Sequence, residues 1–254
     1  MELRRTVHMN SLITAIRTLT IFPIPGKDTI HFERSLFLFP VVGVLLSLIP
    51  LGVWWWAETI VMLDTLVPAI TALGLVTWAT GALHLDGLGD VADAFGGAGD
   101  REQVLAILKD SRMGSFGVTA IVFDLLLKTA LWRIAFEQRA VIVIMCGLVM
   151  ARCGQAILPA FMPNARGGGL AASFGTQGKT TRYSVIVATL LVLLCVVVAV
   201  GPLRAGVMTV AGGAALVIFA RQCRVRIGGI TGDCIGAANE LIEVAVLAAA
   251  FLVV

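Results

Sequence analysis

Hydrophobic residues in this chain come in long blocks separated by short polar segments. Seven blocks, near 36–57, 65–84, 116–136, 140–161, 184–203, 206–222 and 235–254, are long and apolar enough to span or nearly span a bilayer. Polar residues interrupt the second and fourth. The expected fold class is all-α: a polytopic membrane helix bundle of about seven transmembrane helices. Residues 1–23 differ in pattern. Leu12, Ile13, Ile16 and Leu19 are spaced among Arg4, Arg5 and Arg17, with no signal-peptide pattern. This reads as a basic amphipathic segment lying on the membrane surface and ended by Pro23 and Pro25. The organisation expected is one integral-membrane domain over residues 1–254, with 1–35 as a cytoplasmic surface segment and 85–115 as a cytoplasmic active-site loop. Trp54, Trp55 and Trp56 suit an interfacial aromatic belt.

Composition strengthens the membrane reading. The 254 residues are 58% hydrophobic and 14% charged, against about a quarter charged in soluble domains, and the mean hydropathy is +0.95. Lys and Arg alternate between the loops. Fourteen fall in the N-terminal stretch and the loops near 85–115, 162–183 and 221–234, against three in the intervening turns. The positive-inside rule places the first set, and the N-terminus, in the cytoplasm, and the C-terminus outside. The net charge of +3 follows from this asymmetry and implies no nucleic acid partner. Cys146, Cys153, Cys195, Cys223 and Cys234 lack metal-ligand spacing and read as small apolar side chains.

Two acidic groups stand out against this background. Asp86, Asp90 and Asp93 lie in GALHLDGLGDVADAFGG and share a helix arc of roughly 60° at 100° per residue. Asp233, Glu240 and Glu243 lie in GGITGDCIGAANELIEVAV and share roughly 80°. A carboxylate at the centre of a bilayer costs about 3 kcal/mol on insertion scales. Carboxylates stacked on one face also repel each other unless a cation compensates. Mg²⁺ takes oxygen ligands and joins carboxylates to substrate phosphates. The expected metal ligands are Asp86, Asp90, Asp93, Asp233 and Glu240, at a phosphate site on the membrane edge.

Basic residues supply the counterpart. Lys109, Ser111 and Arg112, in KDSRMGSFG just before an apolar helix, are placed to hold phosphate oxygens together with the free N–H groups of the helix start. Asp124 and Lys128 read as a buried i, i+4 ion pair. Arg152, inside an apolar block, requires a carboxylate partner or a substrate phosphate. His84, two residues before Asp86, is a candidate metal ligand or proton shuttle. Ser173–Thr180, SFGTQGKT, approaches a P-loop. It has Ser173 at the first glycine and no preceding strand, so a Walker A site is rejected.

HLDGLGDVADAFGG, KDSRMGSFG and GGITGDCIGAANELIEV, in this order and spacing, resemble the cobalamin synthase family, the adenosylcobinamide-GDP ribazoletransferases. TIFPIPG, Arg152 and the Arg166-Gly167-Gly168-Gly169 turn are similar to further family features. The resemblance covers nearly the whole chain. It implies a Mg²⁺-dependent enzyme of the bacterial inner membrane that joins adenosylcobinamide-GDP to α-ribazole or its 5′-phosphate with release of GMP. On that reading Asp86, Asp90, Asp93 and His84 are catalytic, and Lys109, Ser111, Arg112, Arg152 and Arg166 bind substrate. The sequence leaves open whether further copies or other cobalamin-assembly enzymes accompany it. A CDP-alcohol phosphotransferase also uses spaced aspartates, but its Asp-Gly-x-x-Ala-Arg pattern is absent here, since Asp86-Gly87 is followed by Leu88-Gly89-Asp90-Val91. A cation transporter would place its charges near mid-membrane between repeats, and no repeat is evident.

Overall fold

The computed structural model describes residues 2–60, 64–97, 99–166, 174 and 178–253. Among these, ten α-helices and a 3-10 segment make up the regular structure. In chain order the helices are α1 (Glu2–Leu19), α2 (Phe39–Ile60, preceded by the 3-10 turn Phe32–Leu38), α3 (Leu66–Ala79), α4 (Leu83–Gly97), α5 (Arg101–Ile107), α6 (Ser115–Glu137), α7 (Val141–Phe161), α8 (Lys179–Val200), α9 (Pro202–Ile227) and α10 (Gly232–Ala250). Each of the seven apolar blocks of the sequence falls mainly on helix, the second being split between α3 and α4 and the last extending past the end of α10. The P-loop-like stretch, apart from Phe174 and Gly178 onward, and Gly167–Gly169 lie outside the described residues.

Four continuous helical stretches are long and apolar enough to cross a membrane: Phe32–Thr59, α7, α8 and α9. The pair α3–α4 makes a fifth if counted as one broken span, bent by 86°. Length and apolarity thus pick out four or five of the expected seven spans. The physical reason lies in α6 and α10. Each carries several charges, and these point into the protein: Asp124 and Lys128 on α6, and Glu240 and Glu243 on α10, are buried.

Packing orders the bundle around α7, whose apolar window is 78% buried, against 11% for α8. α7 touches α2, α8 and α10, and α10 in turn packs on α4 and α9. α8 and α9 turn Leu190, Leu194, Val198, Val210 and Val217 outward, an apolar surface suited to acyl chains. Trp55 and Trp56 are exposed near the far end of α2. Polar contacts collect at both ends of the bundle. At one end Arg139 meets Glu58 at 2.9 Å and Arg133 lies 3.7 Å from Asp64. At the other, Arg101 donates to the carbonyls of Ile227 and Ala165, both at 3.0 Å.

Two local features create the site. The α3–α4 break is one. Gly81 (φ 62°) and Ala82 (φ 55°) are left-handed, and their N–H groups bond back to Trp78 and Thr77 at 2.9 Å each. This closes α3 with the pattern of a Schellman cap. The segment 85–115, expected as a loop, consequently holds α4 and the short α5. The second feature is the crossing of α4 over α10. A Cβ on Gly87 would stand 2.6 Å from the Asp233 carbonyl oxygen, and one on Gly236 would stand 3.2 Å from the His84 Cα. The backbones touch because neither position carries a side chain.

The crossing is open to direct test. Gly87→Ala forces backbone apart, and we expect a loss of about 1–3 kcal/mol, seen as a lower Tm in detergent. Gly74→Ala, where an added Cβ meets nothing within 4 Å, should leave the Tm unchanged or raise it. Equal melting of the two variants would remove the crossing as a constraint.

Candidate active site

The α4–α10 contact sets Asp86 and Asp90 beside Asp233. Asp233 occupies the first turn of α10, where a negative charge is favoured by the free N–H groups. Its Oδ2 accepts from the Thr231 hydroxyl at 3.0 Å, and Thr231 also caps α10. The segment that follows α7 and the one that precedes α10 are tied by a short bridge. Ala165 N–H donates to Ile230 at 2.8 Å, and Ile230 N–H donates to Pro163 at 2.9 Å. The bridge delivers Arg166 to 3.8 Å from Asp233, with its other arm donating to the Leu105 carbonyl at 3.3 Å. Asp90 thus feels the like charges of Asp86, Asp233 and Asp93, and the opposing charge of Arg166.

Asp93 is placed differently. Its two oxygens accept the backbone N–H groups of Gly114 (2.6 Å) and Gly117 (2.8 Å) at the start of α6. A charged acceptor on a helix N-terminus makes strong, short bonds of this kind. A Cβ at Gly114 or Gly117 would fall within 2.5 Å and 2.4 Å of that carboxylate. Asp93 therefore ties α4 to α6.

His84, Asp86, Arg166 and Asp233 line one cleft of about 180 Å³, which runs inward to Gln155, Phe39, Phe174 and Leu19. The volume suits a diphosphate or one flat ring, and a larger substrate must lie across the open side. Lys109, Ser111 and Arg112 are exposed on the segment between α5 and α6. The Arg112 fork is already engaged by Asp110, with Nη2 to Oδ2 at 2.6 Å. Hydrogen bonds from Arg112 hold the Asp110 carboxyl down at about 2.

Glu240 and Arg152 are not at this cleft's carboxylates. They belong to an interior network. The Lys128 ammonium bonds to Glu240 and lies 3.3 Å from Asp124 and 3.4 Å from Glu243. Arg152, 1% exposed, donates to the Asn239 side-chain oxygen, and Asn239 donates to Glu240 at 2.9 Å. His84 Nδ1 stands 4.0 Å from Glu240 and links the network to the cleft. The Asp124–Lys128 pair expected from spacing is present, and Glu240 and Glu243 join it from α10. The five cysteines are unpaired, four of them buried.

Two arrangements thus emerge. Asp86, Asp90 and Asp233 crowd the edge of the bundle beside Arg166, while the interior carboxylates gather around Lys128. The family model for cobalamin-5-phosphate synthase (CobS) matches residues 11–251. The chain belongs to the cobalamin-5-phosphate synthase family. It is 37% identical over 244 residues to the adenosylcobinamide-GDP ribazoletransferase of Chlorobium phaeovibrioides, covering 95% of this chain and 97% of that one. It is 35% identical to the protein of the same name from Chlorobaculum parvum (94% and 93% covered) and 36% identical to that of a Sinorhizobium species (94% and 95%). No solved structure matches the chain.

Two polar residues, one in the cleft and one in the interior network, are not visible as candidates in the sequence. Gln155 lies three residues after Arg152 on α7, on the same helix face, and lines the cleft. Asn239 connects Arg152 to Glu240. The spacing of Gln155 from Arg152 is the available sequence signal for the first. Asn239 carries no signal, since its partner comes from another helix.

The interior network predicts a sharp stability effect. Lys128→Met leaves three buried carboxylates without their ammonium and should cost about 3–5 kcal/mol, read as loss of monodisperse protein and a lowered Tm. Adding Glu240→Gln to that variant should recover part of the loss. A Lys128→Met protein as stable as the parent would mean the charges do not form a unit.

Proposed function

We propose that the chain is an adenosylcobinamide-GDP ribazoletransferase of cobalamin biosynthesis, with Asp86, Asp90, Asp233 and Arg166 as its phosphoryl-transfer site. The carrying observation is the cluster of edge carboxylates facing a cleft with Arg166 as the nearby cation, in a chain of this family. A ribose hydroxyl of α-ribazole, or of its 5′-phosphate, attacks the phosphorus that bears the cobinamide. The new P–O bond forms as the bond to GMP breaks, and the electron pair leaves on the GMP phosphate. One carboxylate of the group takes the hydroxyl proton. Arg166 neutralises non-bridging oxygens, and Lys109 draws in the diphosphate from the exposed side.

The donor set fits Mg²⁺. It is all oxygen, and like charges crowd Asp90. Among the described residues no three His, Cys, Asp or Glu side chains form a ready-made metal cage. That suits an ion held by one or two carboxylates, waters and substrate phosphate. Two of Asp86, Asp90 and Asp233 would hold it, and bound Mg²⁺ would supply neutralisation of the diphosphate. Asp93 and Glu240, committed to the α6 N–H groups and to Lys128, keep the frame.

The same reading completes the topology as seven membrane segments with the N-terminus and the site in the cytoplasm, where nucleotides are. The contacts among 58, 64, 133 and 139 at one end, and among 101, 165 and 227 at the other, support it.

Purified protein with adenosylcobinamide-GDP, α-ribazole and Mg²⁺ should release GMP. Asp90→Asn, which keeps size and removes charge, should lower turnover about 100-fold in protein of unchanged Tm. Turnover equal to the parent at ordinary Mg²⁺ would remove Asp90 from the site. For topology, a cysteine at Gly99 in a Cys195→Ser background should react with an impermeant thiol reagent only from the cytoplasmic side, and one at Thr59 only from outside. The reverse labelling would overturn the orientation.

A further inference from the structure

The cleft does not stop at the carboxylates. Its inner part is walled by Leu19, Phe39, Phe174 and Ile235. Phe39 and Phe174 meet edge to face with ring centres 6.1 Å apart. Two buried polar side chains line it with an atom left unpartnered. Gln155 is 1% exposed with a free Oε1, and His84 is 2% exposed with a free Nε2. Buried polar atoms without partners are rare and costly, and a ligand that bonds to them removes the cost. An aromatic wall with a few converging polar groups is the build of a site for a flat, mostly apolar ring.

We propose that this inner chamber binds the benzimidazole ring of the incoming ribazole, and that Gln155 is a specificity-determining contact to it. This rests on the transferase reading above. The reaction brings two flat bases to the enzyme, that of the ribazole and the guanine of the departing GMP. Guanine presents O6 and N7 acceptors and an N2 amino donor, which call for several polar partners. The chamber wall is largely apolar. A dimethylated benzimidazole presents two methyl groups and one free ring nitrogen that accepts a hydrogen bond. The His84 ring N–H donates to that nitrogen, and so does the Gln155 amide once a half-turn exchanges its oxygen for its N–H, while Phe39 and Phe174 cover the ring. With the base inside, the ribose hydroxyls face Asp86 and Asp233 at the mouth, where the phosphorus must arrive. The guanine stays on the exposed side, toward Lys109 and Arg112.

The variant Gln155→Leu has similar volume and removes a polar group that has no partner, a change that is close to neutral for folding. Full-length protein in nanodiscs is assayed for GMP release with each substrate varied in turn. We expect Gln155→Leu to raise the KM for α-ribazole about tenfold, as for one lost hydrogen bond, and to leave that for adenosylcobinamide-GDP within twofold. Free 5,6-dimethylbenzimidazole should compete with α-ribazole in the parent protein. Equilibrium dialysis of α-ribazole gives a second readout that needs no turnover, and Gln155→Leu should weaken binding by the same factor. A raised KM for adenosylcobinamide-GDP alone would give the chamber to guanine and overturn the proposal, as would unchanged ribazole KM and affinity. Parent protein that binds α-ribazole through Gln155 but releases no GMP would uphold the chamber and sink the transferase reading.

Discussion

The arrangement rests on one backbone contact, that of α4 with α10 at Gly87 and Gly236. At 2.6 Å from a would-be Cβ, the Asp233 carbonyl leaves no room for any side chain at position 87. Because the helices touch there, the carboxylates of Asp86 and Asp90 come to share space with Asp233, which starts α10. Separating the helices by even one methyl group would relax the crowding of charge that makes the cluster a place for cations and phosphate. The α3–α4 break serves this contact. Without the left-handed turn at Gly81 and Ala82, α4 would run on along α3 and miss the start of α10.

Two populations of charge follow from that packing, and dielectric separates their roles. Inside, Lys128, Asp124, Glu240 and Glu243 lie within a few ångströms of one another, with Arg152 and Asn239 completing the network. Buried charge is tolerable only when paired and hydrogen-bonded, so these side chains gather on one another and hold α6, α7 and α10 together. At the edge, compensation is incomplete among the described residues. Asp86, Asp90 and Asp233 face Arg166, where water, a metal ion or substrate can supply the rest. His84 stands at the boundary and touches both.

Loops finish the site with few bonds. The 163–166 and 228–231 segments are joined by the pairing at Ala165 and Ile230, which is what places Arg166. Arg101 secures the same region by capping carbonyls at Ile227 and Ala165. Asp93 fixes the 110–117 segment by binding the first N–H groups of α6. Two of these ties, at Arg101 and Asp93, set a charged side chain on backbone groups that a helix or turn leaves free.

The sequence alone determined what local pattern can determine. Block length and apolarity set the all-α membrane class and located its long helices. Spacing placed Asp86, Asp90 and Asp93 on one helix face, paired Asp124 with Lys128, and the three long motifs carried the family. What lies opposite a helix face was decided by tertiary structure. Glu240 shares an arc with Asp233, yet two turns of helix carry it away from the edge to Lys128. Asp93 shares an arc with Asp90, yet its carboxylate is taken by Gly114 and Gly117 of another element. Arg152 found Asn239 in the interior, and Gln155, which no motif marks, lines the cleft. A helical period states which residues look the same way. Their partners come from elements remote in sequence, and only packing brings those together.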